Sequence, residues 1–284
     1  MLALSHKLIS PGIRYMFLST IGFTLMGVIV KELAHLHVSQ IVFFRSGITA
    51  IICWYFLKRE GVSFGGNNKL LLILRSLFGI ISMTLFFITI QRIPFGASVS
   101  LKYLSPIFTA IFAVIFLKEK VKIVQWLLFA GAFTGVLLLK GFDARIDFLN
   151  LTLGITGAAL AGLVYVTIRK LGTSEHSLVI INYFMSSAMV LSGIVMLFFW
   201  QMPYEKEWVM LLLMGTFGYF GQFYMTKAFQ VEAASLVVPV KYTEVVNALI
   251  IGLVWFGEGY TVLSLVGIIL IVFCMLLNLI YKTR

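Results

Sequence analysis

The sequence predicts an all-α polytopic membrane protein with ten transmembrane helices, arranged as two inverted five-helix repeats with both termini in the cytoplasm. The first observation is composition: 61% of the 284 residues are hydrophobic and only 12% are charged, which is about half the charged fraction of a soluble domain. The second is a series of ten apolar stretches of membrane-spanning length. The third is a short phrase containing Lys-Tyr that occurs once in each half of the chain.

Ten segments contain the roughly 20 mainly apolar residues that a helix needs to cross the hydrocarbon core. The links between them are short and leave little room for a soluble domain. All five tryptophans fall near predicted helix ends, as in an interfacial aromatic belt. The first segment follows a tail without a cleavage motif, so it is predicted to be a membrane helix rather than a signal peptide. The segments are residues 13–33, 39–57, 70–90, 95–117, 122–140, 150–170, 178–200, 207–228, 235–256 and 261–281.

The basic residues predict the orientation, because cytoplasmic loops carry an excess of Lys and Arg. If the N-terminus is cytoplasmic, 13 of the 22 basic residues fall on the inner side, 5 on the outer side and 4 within the segments. Both termini are therefore predicted to be cytoplasmic. The same topology accounts for the net charge of +11. Because the basic residues are scattered singly rather than clustered, a nucleic-acid partner is not expected.

Two similar stretches indicate an internal duplication. ASVSLKYLSPIFTAIFAVIFLKE ends at Glu119 and EAASLVVPVKYTEVVNALIIGLVWFGE ends at Glu258. The Lys-Tyr pairs and the terminal glutamates share one offset of 139 residues, given by 241 minus 102 and by 258 minus 119. Each half, residues 1–144 and residues 145–284, then contains five helices. Because five is odd, the second half enters the membrane from the opposite side, which makes the repeats inverted.

These stretches, together with VFFRSG in the second segment, resemble the drug/metabolite transporter superfamily and, within it, the EamA-type family. The resemblance covers essentially the whole chain. It implies a multi-pass carrier or exporter of small metabolites in the bacterial inner membrane, with a cavity lined by helices from both halves. Members of the family move amino acids, purines, cofactors and drugs, so the resemblance leaves the substrate open. The direction of transport and the oligomeric state are open as well.

Charged residues within the segments are candidate substrate contacts, because a charge at the bilayer centre costs about 2.5–3.5 kcal/mol and usually faces a cavity or a partner. Lys102 and Lys241 are equivalent under the repeat, and we expect them to contact one anionic group of the substrate from the outer and the inner side. Glu244 follows Lys241 by three residues, so a helix places both on one face. The alternative is a mutual ion pair of Lys241 and Glu244 that holds the ninth helix in register. Glu244 is also the candidate proton-binding residue, with protons as the coupling ion.

Two arginines lie within the segments. Arg45, in VFFRSG, either contacts the substrate or extends to the outer interface. Arg75 is near the inner end of the third segment, where extension to the interface is expected. Pro106 lies within the fourth segment, where it removes a backbone hydrogen bond. We expect it either to kink the helix or to free a carbonyl toward the cavity.

Polar and aromatic residues complete the predicted substrate site. Tyr219 and Gln222 lie at helical spacing in the eighth segment and form a polar face. In a membrane helix such a face lines either a cavity or a helix contact. Asn247 continues the face that carries Lys241 and Glu244, and Tyr103 and Tyr242 directly follow the two lysines and offer stacking surfaces.

A transporter is favoured over a polytopic membrane enzyme and over a channel without alternating access. An enzyme needs an acid, base or metal cluster, and the sequence has no H-E-x-x-H, G-x-S-x-G or P-loop motif. Its histidines and cysteines lack metal-ligand spacing, so we expect no catalytic residue, metal or cofactor. The excess of Lys102, Lys241 and Arg45 over Glu244 favours a small anionic or zwitterionic metabolite, such as an amino acid, a cofactor or a nucleoside-like molecule.

The charge bias predicts that the loop containing His176 is cytoplasmic and that the loop containing Lys206 is periplasmic. In a background with Cys53→Ala and Cys274→Ala, the variant Lys206→Cys should react with a membrane-impermeant maleimide in intact cells. The variant His176→Cys should react only after the cells are permeabilised. Labelling of position 176 but not of position 206 in intact cells would overturn the assignment.

Overall fold

The computed structural model describes residues 10–118, 122–141, 145–171, 174–231 and 240–283. Every regular element within these ranges is a helix. Six segments among them are long and apolar enough to cross a membrane, which makes the chain a multi-pass membrane protein. The helices are α1 (Pro11–Glu32), α2 (Val38–Arg59), α3 (Lys69–Arg92), α4 (Phe95–Lys102), α5 (Ser105–Leu117), α6 (Ile123–Gly141), α7 (Phe148–Leu171), α8 (Ser177–Met196), α9 (Glu205–Val231), α10 (Thr243–Val254) and α11 (Val262–Thr283).

Local sequence signals set the starts of the first three helices. The side chains of Ser10, His37 and Asn68 each accept a hydrogen bond from a backbone N–H in the first turn of α1, α2 and α3. Such caps satisfy donors that have no partner inside the helix. Pro11 occupies the first position of α1, where its missing N–H costs nothing. Large apolar side chains cover much of the outer surface, as Ile51 does with 66% of its area exposed, which suits contact with lipid.

The fourth predicted segment is not one continuous helix, as residues 95–117 were expected to be. α4 ends at Lys102, a turn follows, and α5 begins at Ser105 with Pro106 in its first turn. Proline lacks the N–H that a continuous helix would need at this point, and its fixed φ suits a helix start. The expected kink is therefore a two-residue turn, Tyr103 and Leu104, within a stretch that is still one candidate membrane span, Phe95–Phe116.

The second Lys-Tyr phrase also lies at an interruption. Val240 and Lys241 are helical, Tyr242 forms a turn, and α10 begins at Thr243. The described part of the ninth predicted segment, residues 235–256, therefore contains a one-residue turn at Tyr242. Pro239 of this segment lies outside the described residues, as does Glu119 at the end of the first repeat phrase. The two lysines thus occupy corresponding positions at helix breaks.

The most extensive helix contacts join the first half of the chain to the second half. Replacing each helix by its equivalent in the other predicted repeat reproduces the same set of pairs. This contact pattern puts the core of the protein between the two halves. The pairs that this exchange relates are α1 with α9, α2 with α8, α3 with α7, α4 with α10 and α6 with α11, and α5 packs on α7 as well.

A buried glutamate after α10 fixes the start of α4. Both carboxylate oxygens of Glu258 accept a hydrogen bond from the backbone N–H of Phe95, at 3.0 and 2.8 Å. An acidic group at this helix end also faces the positive end of the helix dipole. Lys31 lies 2.5 Å from the same carboxylate, and the Tyr260 hydroxyl donates to it at 2.6 Å. Burial and this hydrogen bond raise the pKa of Tyr260, so the hydroxyl keeps the proton that it donates.

Candidate functional site

A cavity of about 150 Å³ lies among α1, α2, α3, α7, α8 and α9, next to the two Lys-Tyr helix breaks. A buried water needs about 10–15 Å³ by this kind of measure, so the space suits a small molecule rather than one water. The wall is mainly apolar and aromatic, and polar groups enter it at a few points only. The polar side chains that line it are Arg45, Arg75, Ser82, Lys102, Tyr165, Gln222 and Lys241.

Lys102 and Glu244 form an ion pair beside this cavity that joins the two halves of the chain. The Lys102 Nζ donates to Glu244 Oε1 at 3.0 Å, and the lysine ammonium lies 4.4 Å from the centre of the Phe86 ring. The Tyr103 hydroxyl lies 2.7 Å from the second carboxylate oxygen and donates to it. Glu244 is buried, so a cation and a hydroxyl replace its hydration.

The alternative pairing of Lys241 with Glu244 is not formed. The Lys241 Nζ instead donates to the Tyr165 hydroxyl at 3.2 Å and lies 5.5 Å from the centre of that ring. Lys241 and Lys102 also lie 5.7 and 5.9 Å from the centre of the Tyr103 ring. The two lysines therefore flank one tyrosine at one cavity. Both lysines line the same cavity, and their expected assignment to its outer and inner sides stays a prediction.

Sequence analysis missed Tyr165 as a site residue, although it is a polar side chain in the middle of the sixth apolar segment. Its position in α7 places the ring between the end of α4 and the Lys241 turn. A neutral hydroxyl leaves the charge of Lys241 formally uncompensated, in contrast to that of Lys102. Among the described residues, Lys102 therefore has a carboxylate partner and Lys241 has a hydroxyl partner.

Both intramembrane arginines turn into the cavity, which corrects the expectation that Arg75 extends to the interface. Each of the two side chains is 4% exposed. The Arg45 Nη1 donates to the sulfur atoms of Met83 and Met185 at 2.7 and 3.3 Å, and the Arg75 guanidinium lies 4.2 Å from the centre of the Phe184 ring. Within the described residues, Arg45 Nε and Arg75 Nε and Nη1 have no hydrogen-bond partner.

The remaining predicted residues divide between the cavity and the packing around it. Gln222 lines the cavity. Tyr242 is buried against the Tyr103 ring, with 4.9 Å between the ring centres, and so supports the ion-pair network. Tyr219 is buried among aromatic rings of α2 and α9 and does not line the cavity, contrary to expectation. Asn247 lines a separate groove between α1 and α10 and not the cavity.

Apolar helices that bury a charged cavity between two halves of one chain define the class of membrane transporters for small molecules. The chain belongs to the EamA-like transporter family, whose model matches residues 10–140 and again residues 149–280. It is accordingly a transporter and not an enzyme.

Several named proteins are similar to this chain over most of its length. The pseudopaline exporter CntI of Pseudomonas aeruginosa is 28% identical over 268 residues, which cover 93% of this chain and 94% of that protein. The S-adenosylmethionine uptake transporter of Rickettsia prowazekii is 25% identical over 87% of this chain and 85% of its own. Solute carrier family 35 member G1 of Mus musculus is 29% identical, covering 87% of this chain and 72% of that protein.

A protein crystal structure with 16% sequence identity shares the fold. It superposes with a TM-score of 0.68 over 96% of this chain and 98% of its own. At this identity the likeness concerns the helix arrangement alone.

The contact of Lys102 with Glu244 predicts coupled stabilities. Glu244→Gln should destabilise the protein because it leaves the Lys102 charge unpaired beside the cavity. The double variant Lys102→Gln/Glu244→Gln should recover part of the loss, with a coupling free energy of about 0.5–3 kcal/mol in a double-mutant cycle. Thermal unfolding of the detergent-purified variants measures the cycle. Additive losses would show that the pair contributes nothing.

Proposed function

We propose that this protein is a secondary transporter that moves a small anionic or zwitterionic metabolite across the bacterial inner membrane by alternating access. The observation that carries the proposal is the charge of the cavity: four basic side chains line it, and one carboxylate, that of Glu244, pairs with Lys102 at its edge. A cationic substrate would be repelled by this excess of positive charge. The apolar and aromatic wall suits a metabolite with an apolar part, such as an amino acid, a cofactor or a nucleoside-like molecule.

Alternating access follows from the proposed division into inverted repeats, residues 1–144 and 145–284. The two matches of one family model, to residues 10–140 and 149–280, support this division. The exchange symmetry of the helix pairs supports it as well. In transporters built this way, the substrate binds near the repeat interface while one part rocks against the other.

Each lysine has its own role in the proposed binding step. Lys241, hydrogen-bonded to a neutral hydroxyl, is the first contact for the anionic group of the substrate. Lys102 becomes available to the substrate when Glu244 is protonated, because the neutral acid no longer holds the ammonium group as an ion pair. Protons are therefore the proposed coupling ion. Tyr103 lies between the two lysines and so connects substrate binding at Lys241 with the release of Lys102 from Glu244.

Transport by purified protein in proteoliposomes tests the proposal. With a panel of radiolabelled carboxylates, amino acids and nucleosides, at least one compound should show saturable uptake that is stimulated by the same compound on the other side. A channel would show neither property, and an enzyme would return a modified product. Uptake without saturation and without trans-stimulation across the panel would overturn the proposal.

Lys241→Gln and Lys102→Gln should each weaken binding of the transported compound. A lost charged hydrogen bond costs about 1.5–3 kcal/mol, or roughly ten- to more than a hundredfold in affinity. The concentration for half-maximal trans-stimulated exchange measures the change. Lys69→Gln, at the exposed start of α3, is the matched control and should leave that concentration unchanged. Normal values in both cavity variants would show that the lysines have a structural role only.

Glu244→Gln should remove the response of transport to an imposed pH gradient, because the amide cannot take up and release a proton. Exchange of labelled for unlabelled substrate at equal pH should continue in part, which also shows that the variant is folded. The two rates are measured in the same proteoliposome preparation. A variant that is still driven normally by the pH gradient would exclude Glu244 as the coupling residue.

A further inference from the structure

The geometry points to a second anion-binding subsite at Arg45 and Arg75, separate from the lysines, and to a substrate that carries two separated carboxylate groups. This inference rests on the proposed function, since it assigns the chemical class of the substrate for the same cavity. It starts from two cationic side chains that no acidic residue among the described lining residues compensates.

Both guanidinium groups are buried with weak partners. Arg45 Nη1 contacts two methionine sulfurs, and thioether sulfur is a weak acceptor. Arg75 lies over the Phe184 ring, which favours the cation but accepts none of its in-plane N–H bonds. Arg45 Nε and Arg75 Nε and Nη1 have no partner among the described residues. Leaving a buried charge without a partner is strongly unfavourable. A bound anion would supply the partner that the two guanidinium groups lack.

Two glycines let the arginine side chains pack closely against neighbouring helix backbones. A Cβ atom on Gly79 would lie 3.0 Å from the Phe184 ring and 3.3 Å from Arg75 Nη1, and a Cβ atom on Gly218 would lie 3.3 Å from Arg45 Nε. A larger residue at either position would crowd the guanidinium group beside it. The planar guanidinium fork matches the two oxygens of a carboxylate. With Phe184 against the face of Arg75, the edge of the fork remains for such a contact.

Arg75 and Lys102 contact α3 at two different levels along the cavity. The Arg75 guanidinium lies beside Gly79, and the Lys102 ammonium lies over the ring of Phe86. These two positions on α3 are seven residues apart, which is about 10 Å along a helix at 1.5 Å per residue. The wall between them includes Met83. A substrate with an acidic group at each end and a short apolar link would fill the cavity from Arg75 to Lys102.

The charge balance favours the same class of substrate. Four basic side chains and the one carboxylate of Glu244 leave three uncompensated positive charges at the cavity. A monocarboxylate would leave two of them within the membrane, whereas a dicarboxylate leaves one. Since each uncompensated charge in a membrane interior is unfavourable, the dicarboxylate is the better complement.

Matched diacids and monoacids test the inference. Glutarate and adipate, compared with pentanoate and hexanoate, are titrated against the detergent-purified protein while its thermal unfolding is followed. A ligand that binds the folded state raises the unfolding temperature, and a ligand with higher affinity does so at a lower concentration. The wild-type protein should respond to the diacids at concentrations roughly ten- to a hundredfold lower than to the monoacids, as expected for one additional charged contact.

Arg75→Gln should make the response to a diacid equal to the response to its monoacid. Arg92→Gln is the matched control, because Arg92 is an exposed arginine of the same helix, and it should keep the wild-type difference. Equal responses of the wild-type protein to diacids and monoacids overturn the inference. A diacid preference that survives in Arg75→Gln also overturns it.

A measurement without ligand separates a binding role from a structural one. Arg75→Met replaces the buried charge by an apolar chain that can pack its sulfur on Phe184. The unfolding temperature of the unliganded protein should therefore rise by a few degrees, while the diacid preference disappears. A lower unfolding temperature would show that Arg75 is structural and would overturn the inference.

The outcomes also distinguish this inference from the proposed function. If diacids and monoacids stabilise the wild-type protein equally and Lys241→Gln abolishes both responses, the anion transporter stands and the arginine subsite does not. If neither kind of acid stabilises the wild-type protein, the anionic substrate and the second subsite both fail.

Discussion

The high cost of an unpaired charge inside a membrane is the constraint on which the arrangement of this cavity depends. The protein meets this cost in three different ways. Lys102 has a full counter-ion in Glu244, Lys241 has a neutral hydroxyl and two aromatic rings, and the arginines have rings and sulfur atoms. The positive charge is therefore compensated most at Lys102, less at Lys241 and least at the two arginines. The parts of the cavity that are least compensated are those where an anion gains the most by binding.

Helix breaks place these groups at the junction of the two halves. At the turn after α4, the Tyr103 hydroxyl contacts both Glu244 and the backbone carbonyl of Lys241. The second Lys-Tyr phrase has a turn at Tyr242 in the same register. Each half thus contributes a helix end, a lysine and a tyrosine to one polar cluster.

The positions of the helices could be predicted from the sequence, because apolar length and flanking charge are local properties of the chain. The partner of Glu244 could not, since it lies 142 residues away and only the packing of α4 on α10 brings it close. Arg75 shows the same limit. Its place near a segment end indicated an interfacial side chain, but Phe184 of α8 holds the guanidinium inward. Asn247 lines a groove between α1 and α10 instead, and nothing in the sequence pattern of α10 distinguished that groove from the cavity.

The pairing of every first-half helix with a helix of the second half has a consequence for biosynthesis. The chain is made from its N-terminus, so α1 to α6 emerge before the helices that cover them. During that interval Arg45, Arg75 and Lys102 have neither Phe184 nor Glu244 beside them, since both come from later helices. The nascent first half must keep these charges near the lipid headgroups or in contact with the insertion machinery. Of the charged residues at the cavity, Glu244 is thus the last to be synthesised, and it supplies the counter-ion of Lys102.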